Sequence, residues 1–229
     1  MLAMDWLLHP TTMEKSAAAG MPDSMAAYAV GRLGALGDVP VDNVVGAAFF
    51  WSPDRMRSWV EEGRSVIGPT EGGRIWSRIC AEWGEESLGD FADVERLGEL
   101  MERVVASASP LNAPLFVAWR DLVNAPVGAG RTHQLAQAMR ELRFSRHCVA
   151  VQAAGMGPLE AILAGPAPFS AKLFGWAEPY PDVGDFGDVR EEIENHTDRL
   201  HAADLDVLSD DERSELRDLA KSARAHASA

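Results

Sequence analysis

Four side chains in one stretch, His133, Arg140, Arg143 and His147 within RTHQLAQAMRELRFSRHCVAVQAA (131–154), have types and spacing that could do chemistry. Read as a helix at about 100° per residue, His133, Arg140 and His147 recur every seventh position, opposite Leu135, Met139, Leu142 and Val149. Arg140, Arg143 and His147 follow one another at i, i+3 and i+7, and Phe144 and Val151 interleave them with apolar groups. A stripe of this kind is covered by other helices, and a covered cationic stripe needs counter-ions or a ligand. The chemistry available is charge recognition by Arg140 and Arg143, with His147, and His133 along the same stripe, as acid–base groups near neutral pH. Glu160, just past the GMG break, is placed to fold back toward them. Trp119, Trp176 and Trp51 are candidates to cover the apolar body of a ligand, since loops beside a rigid helix carry binding groups. The alternative is structural: an Arg–Glu network that ties the central helix to its neighbours.

Several other chemistries find no support. Fourteen residues at the helical rise put His133 and His147 about 21 Å apart, too far to share a metal. HExxH and ExxH carboxylate signatures are absent, as are GxGxxG, a P-loop and GxSxG. No metal and no cofactor are therefore expected. Cys80 and Cys148 stand apart among apolar helical neighbours and read as reduced core thiols. The formal charge of −14 makes the surface acidic on average, which disfavours nucleic acid and anionic membrane surfaces. With no long apolar run and no leader pattern, the expectation is a cytoplasmic protein that does not engage membranes. A small-molecule ligand is the expected partner, with a homodimer left open.

The elements that position this stripe read as helices throughout. Thr11-x-x-Glu14 suggests a capping box for a helix ending at Gly20, and Asp23 or Ser24 caps a second that Gly37 stops. VVGAAFFW (44–51) is apolar enough to be almost wholly buried. Ser52-Pro53 starts a helix that Gly63 stops, Thr70 starts another, and Asp90 opens a long amphipathic one. Pro158 restarts a short helix after the central one. From Gly165 onward, 15 acids face 7 basic residues, so more than half of the charge excess lies there. Asp188 and the Ser209-x-x-Glu212 box begin the last two helices. No alternating strand pattern exceeds four residues. The expectation is an all-α, single multi-helix domain of nine or ten helices over 1–229. Its core spans 1–165 around the buried helix at about 131–154, and an acidic loop and helices (166–229) pack on that core.

Four segments, VVGAAFFWSP, MRELRFSRHCVAVQAAGMGPLEAILA, GWAEP and ENHTDRL, resemble a mostly actinobacterial helical family labelled as a helix-turn-helix family, over about residues 25–215. In that family a winged-helix-like segment lies between the Gly-Trp and Thr-Asp-x-Leu motifs. Only about 20 residues separate Gly175-Trp176 from Thr197-Asp198 here, which implies that recognition helix and wing are missing. The family's central motif is rich in His and Gly, whereas this chain carries Leu142, Phe144 and Arg146 there, so no metal or haem role transfers. The cationic stripe interleaved with apolar residues inside an otherwise acidic chain leads to the expectation of a small-molecule-handling protein of actinobacterial specialised metabolism. Two forms of it stay open: a cofactor-independent acid–base enzyme acting on an anionic or aromatic substrate, and a non-enzymatic ligand sensor or partner-binding module derived from a winged-helix regulator.

Overall fold

Five prolines set helix starts along this chain, because a ring with φ fixed near −65° and no N–H costs nothing at the first helical position. Pro10, Pro53, Pro69, Pro114 and Pro158 open α1 (Pro10–Ala18), α4 (Pro53–Val66), α5 (Pro69–Leu88), α7 (Pro114–Asp121) and α9 (Pro158–Leu163) in a computed structural model. Between them lie α2 (Met25–Arg32), a 3-10 turn (Leu33–Leu36), α3 (Val41–Ala48), α6 (Val94–Ser107) and the 25-residue α8 (Ala129–Ala153). The chain closes with α10 (Ser170–Leu173), α11 (Gly187–Asp204) and α12 (Asp210–Ala227). The structure describes residues 5–165, 167–184 and 187–228; among them there are twelve α-helices rather than nine or ten, and no strand. Asp185 and Phe186, read in the sequence as loop, lie outside the described residues.

The architecture is all-α, and α8 runs through its centre against α5, α6, α7 and α11. Seven consecutive residues of α8, Thr132 to Ala138, are buried, so the helix is enclosed on every side rather than on one face. Most of its buried polar groups find partners on neighbouring elements. Gln134 donates to Ser77 and accepts from the amides of Asn124 and Ala125, and the Thr132 hydroxyl donates to the Val94 carbonyl. One continuous apolar cluster joins α1–α8 to Leu208, Leu216 and Ala223, and a smaller one joins Ala150, Val151 and Met156 to Ile193 of α11.

Local details depart from the sequence reading at several points, each for a visible reason. Thr11 does not cap α1: Pro10 takes the first helical position, and His9 Nδ1 accepts from the Thr11 amide as N-cap. Gly63 does not end α4 but lies inside it, where α4 crosses α2 so closely that a Cβ would sit 2.8 Å from the Val30 Cβ. Asp90 precedes α6, whose N-cap is Asp93. VVGAAFFW is only half buried, because α3 ends at Ala48 and turns Phe49 and Phe50 toward a surface that α9 and α11 only partly cover. Among the described residues no helix is long and apolar enough to cross a membrane. Among the described residues between Trp176 and Thr197 there is no regular structure up to Gly184, and α11 begins at Gly187.

Candidate functional site

Helix α8 carries four arginines and one acid, Glu141, in a chain of net charge −14. Three of the arginines reach acids on other helices. Arg131 pairs with Glu102 of α6, Arg143 meets Glu194 at 3.1 Å and Asp198 at 3.0 Å on α11, and Arg146 grips Asp204 at 2.7 and 3.0 Å. Arg146 also donates to the carbonyls of Ser109 and Leu111. These three are the network that ties the central helix to its neighbours. Arg140 is different: among the described residues its one acceptor is its own neighbour, Glu141 Oε1, at 2.9 Å through Nη1.

Glu141 is already saturated. Arg32 of α2 holds it in a side-on fork, Nε to Oε1 at 2.8 Å and Nη2 to Oε2 at 2.6 Å, and Gln137 donates to Oε1 at 2.7 Å. Both charged side chains are sealed, Arg32 1% and Glu141 0% exposed. Burial alone would raise the Glu141 carboxyl, but Arg32 and Arg140 outweigh it and hold it below the usual range. Burial likewise works against the charge on Arg32, and Glu141 more than restores it. Arg32 Nη1 donates to the Tyr28 hydroxyl, and its guanidinium lies 4.9 Å from the Phe144 ring centre. Two guanidiniums thus share one carboxylate, leaving one unit of positive charge near the surface end of a buried cluster.

That excess borders a hollow of about 270 Å³, walled by Tyr28, Phe50, Trp51, Phe144 and Phe174, with Arg32 and Arg140 on its polar side. Its outer wall follows from sequence. Pro53 keeps Ser52 out of the helical region, so the chain must turn between α3 and α4, and Phe49 takes up the turn at φ 36°, a conformation that costs a residue with a Cβ about 1–3 kcal/mol. The turn sends Phe50 toward Phe144, 5.9 Å between ring centres, and Trp51 toward Tyr28 and Phe174, at 4.9 and 4.6 Å. The α10 segment is fastened over this corner by two bonds. The Ser52 amide donates to the Phe174 carbonyl, and the Trp176 indole N–H to the Phe50 carbonyl, each at 2.9 Å. Gly175 lets the segment pass: its φ is +81°, and a Cβ there would lie 2.6 Å from Arg55 Cγ.

Of the eight residues singled out from sequence, the structure brings Arg140 and Trp51 to this hollow and the others elsewhere. Arg143 is spent on Glu194 and Asp198. His147 Nδ1 meets the Thr197 hydroxyl at 2.9 Å in a crevice of about 20 Å³ beside Arg190 and Glu194. Burial, with Arg143 and Arg190 acting in the same direction against Glu194, lowers its pKa. His133 points into the core instead: Nδ1 lies 2.9 Å from the Cys80 carbonyl, Nε2 meets no partner, and burial brings its pKa down to about 4. A neutral, sealed imidazole cannot shuttle protons to a ligand. Glu160 does not fold back but caps its own helix by accepting from the Gly157 amide. Trp119 is 1% exposed and donates its indole N–H to the Arg32 carbonyl, so it supports the buried pair rather than covering a pocket. Trp176 acts on the hollow only by pinning Phe50.

Sequence reasoning missed Arg32, Tyr28 and Glu141. A signal existed for each: Arg32 is the only charged residue between Ser24 and Gly37, Tyr28 stands one turn before it, and Glu141 is the only acid of α8. The thiols are inert, Cys80 raised well above its ordinary pKa by burial and Cys148 pushed up to about 12, mainly by the same cause. Among the described residues no group of three His, Cys, Asp or Glu side chains could hold a metal ion.

A family model described as a helix-turn-helix family matches residues 3–180. The chain belongs to this helix-turn-helix family. The matched span contains every residue lining the hollow and stops before α11, so the partners of Arg143 and His147, and the ENHTDRL segment, lie beyond it. No curated protein and no solved structure matches the chain.

Proposed function

We propose that this chain is a small-molecule-binding module descended from a regulator, and that its ligand occupies the hollow between α2, the α3–α4 corner, α8 and α10. The observation that carries this reading is the hollow itself, with five aromatic side chains in its wall and an incompletely neutralised pair of arginines, inside the matched span of a helix-turn-helix family. The sensor form is favoured over the enzyme form by what lines it. Arg32, Arg140 and Tyr28 hold charge and donate hydrogen bonds, whereas His147 is turned away toward Thr197, with Phe50 as its ring neighbour at 5.7 Å. The resemblance to actinobacterial proteins adds the expected setting, a ligand drawn from specialised metabolism.

The reading includes no contact with nucleic acid by this chain, supported by its charge of −14. The test has two arms. A ligand-observed NMR screen of small aromatic fragments should return binders that are lost in Trp51→Leu and in Phe174→Ala, two variants so that a folding defect in one does not decide the matter. Fluorescence anisotropy with duplex DNA at low salt should show no binding. An empty screen, binders indifferent to both substitutions, or salt-dependent DNA binding overturns the proposal.

A further inference from the structure

The geometry points to a monoanionic carboxylate with a planar aromatic body as the ligand class of the hollow, held by Arg140 through its unused guanidinium edge; this rests on the ligand-binding reading above. A guanidinium binds a carboxylate best in a fork of two parallel N–H bonds. Arg140 spends Nη1 on Glu141, and its Nε and Nη2 have no acceptor among the described residues, which leaves the Nε/Nη2 fork available. Arg32 offers no such edge, because its own Nε and Nη2 are committed to Glu141 and its Nη1 to Tyr28. The recognition of charge therefore falls to Arg140, 18% exposed where Arg32 is 1%. Tyr28 accepts from Arg32, and its own O–H proton has no acceptor among the described residues, giving a second donor for a ligand oxygen.

Charge and shape narrow the class further. Two guanidiniums against one carboxylate leave a single positive unit, which one carboxylate neutralises and a phosphate dianion would overshoot. Much of the wall is aromatic rings, Phe50 against Phe144 and Trp51 against Phe174. A compact hydrated anion would gain nothing from them, while a flat ring system buries its faces there. The volume, about 270 Å³, is just below the roughly 300–1,000 Å³ of sites for drug-sized ligands, so one or two fused rings fit.

The experiment is calorimetric titration of the full chain with 2-naphthoate and with its neutral isostere 2-naphthamide. The expected result is that naphthoate binds and the amide binds roughly ten- to hundredfold more weakly, the size of one charge-assisted hydrogen-bonded contact. Arg140→Met should remove that difference; it leaves Glu141 paired with Arg32, so the fold survives. Arg140→Lys should recover only part of it, since an ammonium keeps the charge without the fork, and Arg143→Met should bind like the parent. Equal affinity for the two probes, or naphthoate binding unaffected by Arg140→Met, overturns the carboxylate assignment while leaving a binding hollow in place. Failure of both probes to bind at millimolar concentration overturns the hollow as a site for aromatic ligands altogether.

Discussion

Replacing Glu141 by Gln is the sharpest perturbation the structure offers away from any ligand. The substitution keeps the shape of the side chain and the bond from Gln137, but removes the only carboxylate shared by Arg32 and Arg140. Arg32 is 1% exposed and cannot turn to water. Stripping one partner from a sealed ion pair leaves an uncompensated buried charge, a loss of about 3–5 kcal/mol. For a chain of 229 residues, where each kcal/mol moves the melting temperature by about 2–4 °C, the midpoint should fall by about 6–20 °C. Differential scanning calorimetry and urea titration both read this. The double variant Glu141→Gln with Arg32→Met should recover most of the loss, because it removes both charges of the buried pair together and leaves neither uncompensated. A Glu141→Gln protein within about 1 kcal/mol of the parent, or a double variant no more stable than the single one, would refute the buried cluster as described.

Two further consequences are measurable. His133 is neutral in the folded chain, its pKa lowered from 6.5 to about 4, so below pH 6.5 the unfolded chain takes up the proton first. Stability that is complete above pH 6.5 should fall by about 3 kcal/mol as the pH drops to 4, and urea midpoints of His133→Asn should show a correspondingly shallower acid slope. Gly175→Ala forces a Cβ into the left-handed region and against Arg55, at a cost of about 1–2 kcal/mol from the backbone alone. Because Phe174 and Trp176 flank it, that variant should be cut faster by protease within the α10 segment and should bind 2-naphthoate more weakly than the parent.

Helix class and most boundaries were legible in the sequence because they depend on local signals: prolines at first helical positions, Ser24 and Ser209 as caps, and periodic apolar residues in α5 and α6. The misreadings occur where packing overrides local preference. Gly63 looks like a stop signal until α2 passes beneath it, and VVGAAFFW looks like buried core until Pro53 forces it into a corner. The candidate site was legible only in part for the same reason. A helical wheel places Arg140, Arg143 and His147 on one face, but an enclosed helix has a different neighbour every 100°, and α11 claims two of the three. Arg32 and Glu141 are 109 positions apart, and periodicity within one helix carries no information about such a partner. The lone charge in an otherwise uncharged helix was the readable trace of it.

The most direct measurement is a crystal of the full chain soaked with 4-iodobenzoate, with diffraction collected for the anomalous signal of iodine. The account predicts one dominant iodine peak among Phe50, Trp51, Phe144 and Phe174, with the carboxylate forked onto the Nε/Nη2 edge of Arg140. An iodine peak beside His147 or on the outer surface, with the aromatic hollow empty at the same soak concentration, would contradict it.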